Sequence, residues 1–200
     1  QDVFIMSKGH GCLAQYVVLE DVQWERAREC GICGGSGFFG LGDVCGECSG
    51  RRYTGPRLLD SYCRPDGPLG AHPDYHPELG IHASTGSLGH GLGIAAGQAL
   101  AEKIKGTGAR VYVLLSDGEC QEGSTWEAAM VAANLGLGKL TALVDANGWG
   151  GMDRTDRVSG VFPALQPLLD KFRAFGWRGL NFHGHARMGE LIAWLRSNKE

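Results

Sequence analysis

The sequence predicts an α/β fold in which a parallel sheet is sandwiched by helices, and three observations predict it. Val3–Met6, Arg110–Leu115 and Leu140–Val144 are unbroken apolar runs of strand length, as strands covered on both faces are. Segments of helical character stand between them. The last two runs end in polar residues, reaching Asp117 and Asn147, where open α/β sheets present ligands at the carboxyl ends of strands.

The elements follow in order. Val3-Phe4-Ile5-Met6 reads as a buried strand, Ser7-Lys8-Gly9-His10-Gly11 as a tight loop, and about 12–19 as a helix. Between residues 29 and 55 the character changes to few aliphatics, nine glycines and four cysteines. A Pro/Gly/His loop over 64–81 precedes Ser84-Thr85-Gly86-Ser87-Leu88-Gly89-His90-Gly91, which opens a helix of small residues over 92–105. The strand at 110–115 runs into Ser116-Asp117-Gly118-Glu119. A helix over 124–135 is expected to be capped by Ser124, with Glu127 three residues on. The strand at 140–144 leads to Asp145-Ala146-Asn147-Gly148-Trp149, and Leu191–Leu195 is amphipathic. A first strand without a preceding helix, and an end just after that amphipathic stretch, suggest that residues 1–200 were cut from something longer at both ends.

Composition narrows the function classes. With 33 glycines in 200 residues but no Gly-X-Y period and only seven prolines, the chain is not collagenous. Hydrophobic residues at 43 % and charged ones at 20 % argue against disorder. A net charge of −3 makes nucleic acid and anionic membranes poor partners. There is neither an apolar run of the roughly 18 residues that span a membrane nor an export signal. A cytoplasmic protein is therefore expected.

Three glycine-containing loops, 7–11, 84–91 and 116–118, each follow an extended segment and precede a helix. Such loops aim backbone N–H groups at an anion such as a diphosphate. A carboxylate (Asp117), an amide oxygen (Asn147) and a diphosphate together make the hard-oxygen environment that Mg²⁺ or Ca²⁺ prefers. Turn caps are the alternative reading of these residues.

Those runs, with Ser116-Asp117-Gly118-Glu119-Cys120-Gln121-Glu122-Gly123, resemble the amino-terminal half of transketolase, and most closely the split form whose halves are separate chains. The resemblance covers nearly the whole chain except the cysteine segment. It implies the thiamine diphosphate-binding fold of the pyrophosphate type. It also implies transfer of a two-carbon ketol group between sugar phosphates, from a ketose to an aldose. Asp117 and Asn147 would give side-chain oxygens, and Trp149 its carbonyl, to Mg²⁺ or Ca²⁺. Gly118 would offer its N–H to the diphosphate of thiamine diphosphate, and Gly86 and Leu88 would touch the cofactor. His10 would reach the diphosphate or the substrate edge of the ring, and His72 would bind sugar hydroxyls. Glu122 matches a carboxylate at the subunit contact. The family's activating glutamate belongs to a second domain, so the resemblance implies a carboxy-terminal partner with the pyrimidine-binding domain, in a dimer or heterotetramer. His90 stands where the family often has glutamine, and Trp126, Trp177 and Trp194 read as core. Two other functions stay open: another thiamine-dependent reaction, such as 1-deoxyxylulose-5-phosphate synthesis or a decarboxylation, and a non-catalytic docking role.

The cysteine segment departs from that family. Cys30-Gly31-Ile32-Cys33 and Cys45-Gly46-Glu47-Cys48 are two C-x₂-C units separated by eleven residues. This spacing suits a single tetrahedral, structural Zn²⁺ in a small insert at about 27–55. The C-x-x-C-x-G pattern resembles one pair from the cysteine-rich region of DnaJ-type chaperones. Redox or free thiols are the alternative, and disulfides fit a cytosolic protein poorly. Cys12, Cys63 and Cys120 lack partners at ligand spacing and read as packed thiols.

Overall fold

A computed structural model of the chain describes residues 2–24, 38–39, 43–44, 58–151, 153–155, 167–182 and 187–197. Its elements are β1 (Val3–Met6), α1 (Cys12–Trp24), β2 (Phe38–Phe39), β3 (Asp43–Val44), α2 (Gly91–Lys105), β4 (Val111–Ser116), α3 (Gly123–Asn134), β5 (Leu140–Asp145), α4 (Leu168–Ala174) and α5 (Met188–Ser197). They fall into two compact units, one of residues 1–8 with 85–200 and one of residues 9–84.

The first unit is built on a parallel sheet of order β1-β4-β5. β4 pairs on one side with β1, Val3 opposite Val111, and on the other with β5, Ser116 opposite Asp145. Val111, Val113 and Leu115 of this central strand are fully buried, and Tyr112 and Leu114 between them are half-buried. One face of β4 is therefore fully covered and the other partly, where the unbroken apolar run predicts cover on both. Ala95, Ala96 and Ala99 of α2 and Ala129 and Ala132 of α3 are buried, small side chains that let helices pack closely. α2 ends at Gly106 with φ +66, a left-handed cap that glycine adopts without strain. Lys103 Nζ donates to the carbonyls of Leu135 (2.8 Å) and Gly136 (3.2 Å), a cation just past the negative end of α3.

The capping expectation for α3 is corrected. Glu122 is the residue before the helix, extended and without a side-chain cap, and Ser124 lies in the first turn. Its hydroxyl instead donates to the carbonyl of Gly89 at 2.9 Å. The loop after β4 also differs, entering a 3₁₀ turn (Gly118–Gln121) before α3. Trp126, Trp177 and Trp194 are half-buried, each with an aromatic neighbour. Trp126 packs on Phe172 with ring centroids 5.0 Å apart, and Trp177 lies 5.7 Å from Phe172. Trp194 lies 6.2 Å from Phe182.

In the second unit, Cys12 and Tyr16 of α1 are buried with Leu69 and Ile81. The Tyr16 hydroxyl donates to the carbonyls of Gly70 (3.1 Å) and His72 (3.0 Å), and Cys12 Sγ donates to that of Ala71 (3.2 Å). Burial pushes both the Tyr16 phenol and the Cys12 thiol up, so both remain protonated donors. Cys63 is exposed at φ +55, in contrast to the packed thiol expected. Its N–H closes the turn onto the Leu69 carbonyl at 2.7 Å. β2 and β3 form an antiparallel pair, Phe38 opposite Val44. Cys30, Cys33, Cys45 and Cys48 lie outside the described residues. Among the described residues no helix is long and apolar enough to cross a membrane.

Candidate cofactor site

The carboxyl ends of β4 and β5 lie side by side, so the loops that leave them are neighbours. Asp117 follows β4 and is 2 % exposed. Its Oδ1 accepts from the Gly118 N–H at 3.0 Å. Its Oδ2 accepts from the Gly148 N–H at 2.8 Å and the Thr155 hydroxyl at 3.2 Å. A carboxylate offers about four lone-pair directions, so three donors leave room for a cation.

Asn147 follows β5. Its Oδ1 accepts from the Trp149 N–H at 2.9 Å, and its Nδ2 donates to Asp145 Oδ2 at 3.3 Å. Asp145 Oδ2 is ion-paired with Lys8 Nζ, which fixes the carboxylate that orients the Asn147 amide. Beyond Trp149 the chain turns back: the Gly150 N–H meets the Asp153 carbonyl at 2.8 Å, and the Thr155 N–H meets that of Gly148 at 3.0 Å. Gln121 Nε2 holds the Thr155 carbonyl at 3.1 Å. This fold-back brings the Thr155 hydroxyl to Asp117. A Cβ on Gly118 would lie 3.5 Å from the Gly150 Cα, so the turns after the two strands are close.

The loop before α2 is tied to the same end of the sheet. Thr85 Oγ1 donates to the Met6 carbonyl, and Gly86 (φ +125) and Gly89 (φ +81) hold conformations that glycine adopts readily. Leu88 is 41 % exposed, and Glu122 is exposed at the start of α3. Cys120 is buried; burial first, then the carboxylates of Glu119 and Asp117, push its thiol up to about 12. It is a neutral packed thiol, as expected.

Of the residues picked out by sequence, Asp117, Gly118, Asn147, Trp149, Gly86, Leu88 and Glu122 lie in this unit. His10 and His72 lie in the second unit, where their ring centroids are 6.0 Å apart. Sequence reasoning missed Thr155, Asp145 and Glu119, whose roles rest on partners distant in the chain. It also passed over His76, whose Nδ1 lies 2.9 Å from Glu78 Oε1 across a short turn.

The Asp117 carboxylate, the Asn147 amide oxygen and the Trp149 carbonyl are oxygen groups of the kind a hard divalent cation takes, with no sulfur or imidazole among them. No group of three His, Cys, Asp or Glu side chains suited to a metal exists among the described residues, and this set does not require one.

Residues 59–199 match the family described as the transketolase, thiamine diphosphate binding domain. The chain is 34 % identical over 199 residues to the 6-deoxy-6-sulfo-D-fructose transketolase subunit SqwG of Clostridium sp. (strain MSTE9), covering all of this chain and 60 % of that protein. It is 33 % identical to an apulose-4-phosphate transketolase subunit of Phocaeicola vulgatus, covering 98 % of this chain and 58 % of that one. The chain thus spans less than two thirds of these curated relatives. A structure of transketolase from Pichia stipitis superposes with a TM-score of 0.70 at 22 % identity, covering 99 % of this chain and 26 % of that one, which shows the shared fold. The chain belongs to the transketolase family and corresponds to its thiamine diphosphate-binding, amino-terminal part.

Proposed function

We propose that the chain is the cofactor-binding subunit of a two-chain transketolase, moving a two-carbon ketol group from a ketose to an aldose. Its partner is a carboxy-terminal chain carrying the pyrimidine-binding domain, in a dimer or heterotetramer. The observation that carries this reading is the buried Asp117 carboxylate, held by three donors at a strand end with Asn147 and Trp149 beside it. Similarity along nearly the whole of this chain to parts of two proteins named as transketolase subunits supports it.

In this reading Asp117, Asn147 and the Trp149 carbonyl hold Mg²⁺ or Ca²⁺. Gly118 gives its N–H to the diphosphate, trading the bond it now makes to Asp117, while Gly86 and Leu88 line the cofactor. His10 reaches the diphosphate or the substrate edge of the ring, and His72 grips sugar hydroxyls. Glu122 meets the paired subunit. Thiamine diphosphate supplies, when bound, the electron sink that carries the two-carbon fragment; the chain positions and binds. The sulfosugar and sugar phosphate in the relatives' names point to anionic sugars as substrates.

The test mixes the chain with thiamine diphosphate, Mg²⁺ and a candidate carboxy-terminal chain, then assays ketol transfer and thermal stability. Ketol transfer with cofactor-dependent stabilisation is expected; the absence of both would sink the reading. Decarboxylation or 1-deoxyxylulose-5-phosphate formation in the same mixture would redirect it to the other thiamine-dependent reactions.

The insert at about 27–55 is proposed to hold one structural Zn²⁺ on Cys30, Cys33, Cys45 and Cys48. Four thiolates of this kind belong to a reducing compartment, the cytoplasm. Metal analysis of freshly purified protein is expected to give about one zinc per chain. Clearly substoichiometric zinc would remove the site and favour free or redox thiols.

A further inference from the structure

We propose that Glu119 is a positioning residue that clasps three loops of the first unit into one cradle, so that cofactor affinity depends on its buried carboxylate. This rests on the thiamine diphosphate reading above. Glu119 is 0 % exposed. Its Oε1 accepts from the hydroxyl of Ser7, the residue after β1, and from the Gly89 N–H at 3.1 Å in the loop that opens α2. Its own N–H donates to Ser116 Oγ at the end of β4 (3.2 Å), and its carbonyl accepts from Thr125 Oγ1 at the start of α3 (2.9 Å). Ser7 is itself 0 % exposed. One oxygen therefore joins the chain after β1, the turn after β4 and the approach to α2.

Core stability alone does not account for an acid here. Its other oxygen, Oε2, is buried and has no hydrogen-bond partner among the described residues, which costs more than a well-packed apolar side chain of similar volume would. The carboxylate does what such a side chain cannot. It accepts at one point from two loops that are 82 residues apart in the sequence, Ser7 and Gly89. Loops that must present N–H groups to a diphosphate gain affinity when they are held beforehand in the bound arrangement.

The test uses the full protein reconstituted with its carboxy-terminal partner. Thiamine diphosphate with Mg²⁺ is titrated by tryptophan fluorescence, and hydrogen exchange at the Gly89 amide is followed in cofactor-free protein. In Glu119→Ala the half-saturating cofactor concentration is expected to rise about tenfold, or ~1.4 kcal/mol. The loss falls on cofactor KM more than on kcat at saturation, and the Gly89 amide exchanges faster. Glu119→Gln keeps the Oε1 acceptor and is expected to return the affinity to within about threefold of wild type. A folded Glu119→Ala protein with wild-type cofactor affinity would overturn the proposal, as would Glu119→Gln binding no better than Glu119→Ala. Should Glu119→Ala not fold, Ser7→Ala removes only the hydroxyl donor: weaker cofactor binding supports the clasp, and unchanged binding refutes it. A wild-type protein that does not bind thiamine diphosphate overturns the cofactor reading and this proposal together. Binding by wild type and variant alike overturns this proposal alone.

Discussion

Replacing Asp117 by alanine is expected to abolish metal-dependent binding of thiamine diphosphate, weakening it by at least ~100-fold, or ~2.7 kcal/mol. The change removes the one carboxylate of the proposed cation site. It also leaves the N–H groups of Gly118 and Gly148 and the hydroxyl of Thr155 without their shared acceptor. Two losses are therefore combined, and they separate experimentally. The second appears without any cofactor, as a lower melting temperature, because donors left unmatched in a buried site cost about 1–3 kcal/mol each. The first appears only on adding cofactor. Wild-type protein gains stability as ligand concentration exceeds Kd, by ~2.7 kcal/mol at about 100 Kd, and the variant gains almost none. Trp149, 59 % exposed beside Asn147, is a natural fluorescence reporter for the titration. A variant that binds cofactor and Mg²⁺ as wild type does would remove Asp117 from the site.

A second large effect comes from a single methyl group. Gly91 opens α2, and a Cβ built on it would stand 2.0 Å from Ser7 Oγ and 2.2 Å from Ser7 Cβ. Alanine favours a helix interior over glycine by ~1 kcal/mol, and at this first helical position the gain is at most that. Here the clash opposes that gain, because Ser7 is fully buried and hydrogen-bonded to Glu119, so it has nowhere to retreat. Overpacking of this kind costs about 1–3 kcal/mol, occasionally more, and here disrupts a hydrogen bond as well. A fall in melting temperature of roughly 5–10 °C is expected for Gly91→Ala. Gly97 supplies the control on the same helix: it is exposed and a Cβ there meets nothing within 4 Å. Gly97→Ala is expected to raise stability by up to ~1 kcal/mol. Adding Ser7→Gly to Gly91→Ala should recover part of the loss by removing the obstructing side chain. A Gly91→Ala protein that melts at or above the wild-type temperature would refute the close contact.

How much of this could be read in the sequence depends on how local each feature is. The apolar runs that became β1, β4 and β5 carry their own signal, and their observed bounds differ from the expected ones by a residue or less. Asp117 and Asn147 were legible because a strand end puts a following polar residue at the sheet's ligand-bearing edge. The capping box at Ser124 is a local pattern, whereas the Ser124 hydroxyl answers a carbonyl 35 residues earlier. Thr155 reaches Asp117 only because the segment after Trp149 folds back, across 38 residues of sequence. Glu119 sat inside a recognised run and still gave no hint of its role, since its partner Ser7 is 112 residues away. Cys63 became an exposed left-handed turn residue for a reason that lies in the Leu69 carbonyl and not in its neighbours.

The first strand carries a kinetic consequence. β1 pairs in register with β4, and the carboxylate of Asp2, just before it, accepts hydrogen bonds from the backbone N–H and the guanidinium Nε of Arg110, each at 2.9 Å and 108 residues away. During synthesis Val3–Met6 emerges well before the strand it must join. At translation rates of about 5–20 residues per second, that interval lasts roughly 5–20 s. An apolar edge without its neighbour for so long is a site where nascent chains associate wrongly. The yield of this protein should therefore respond to elongation rate and to chaperones that shield this strand, even where the melting temperature of the finished fold does not change.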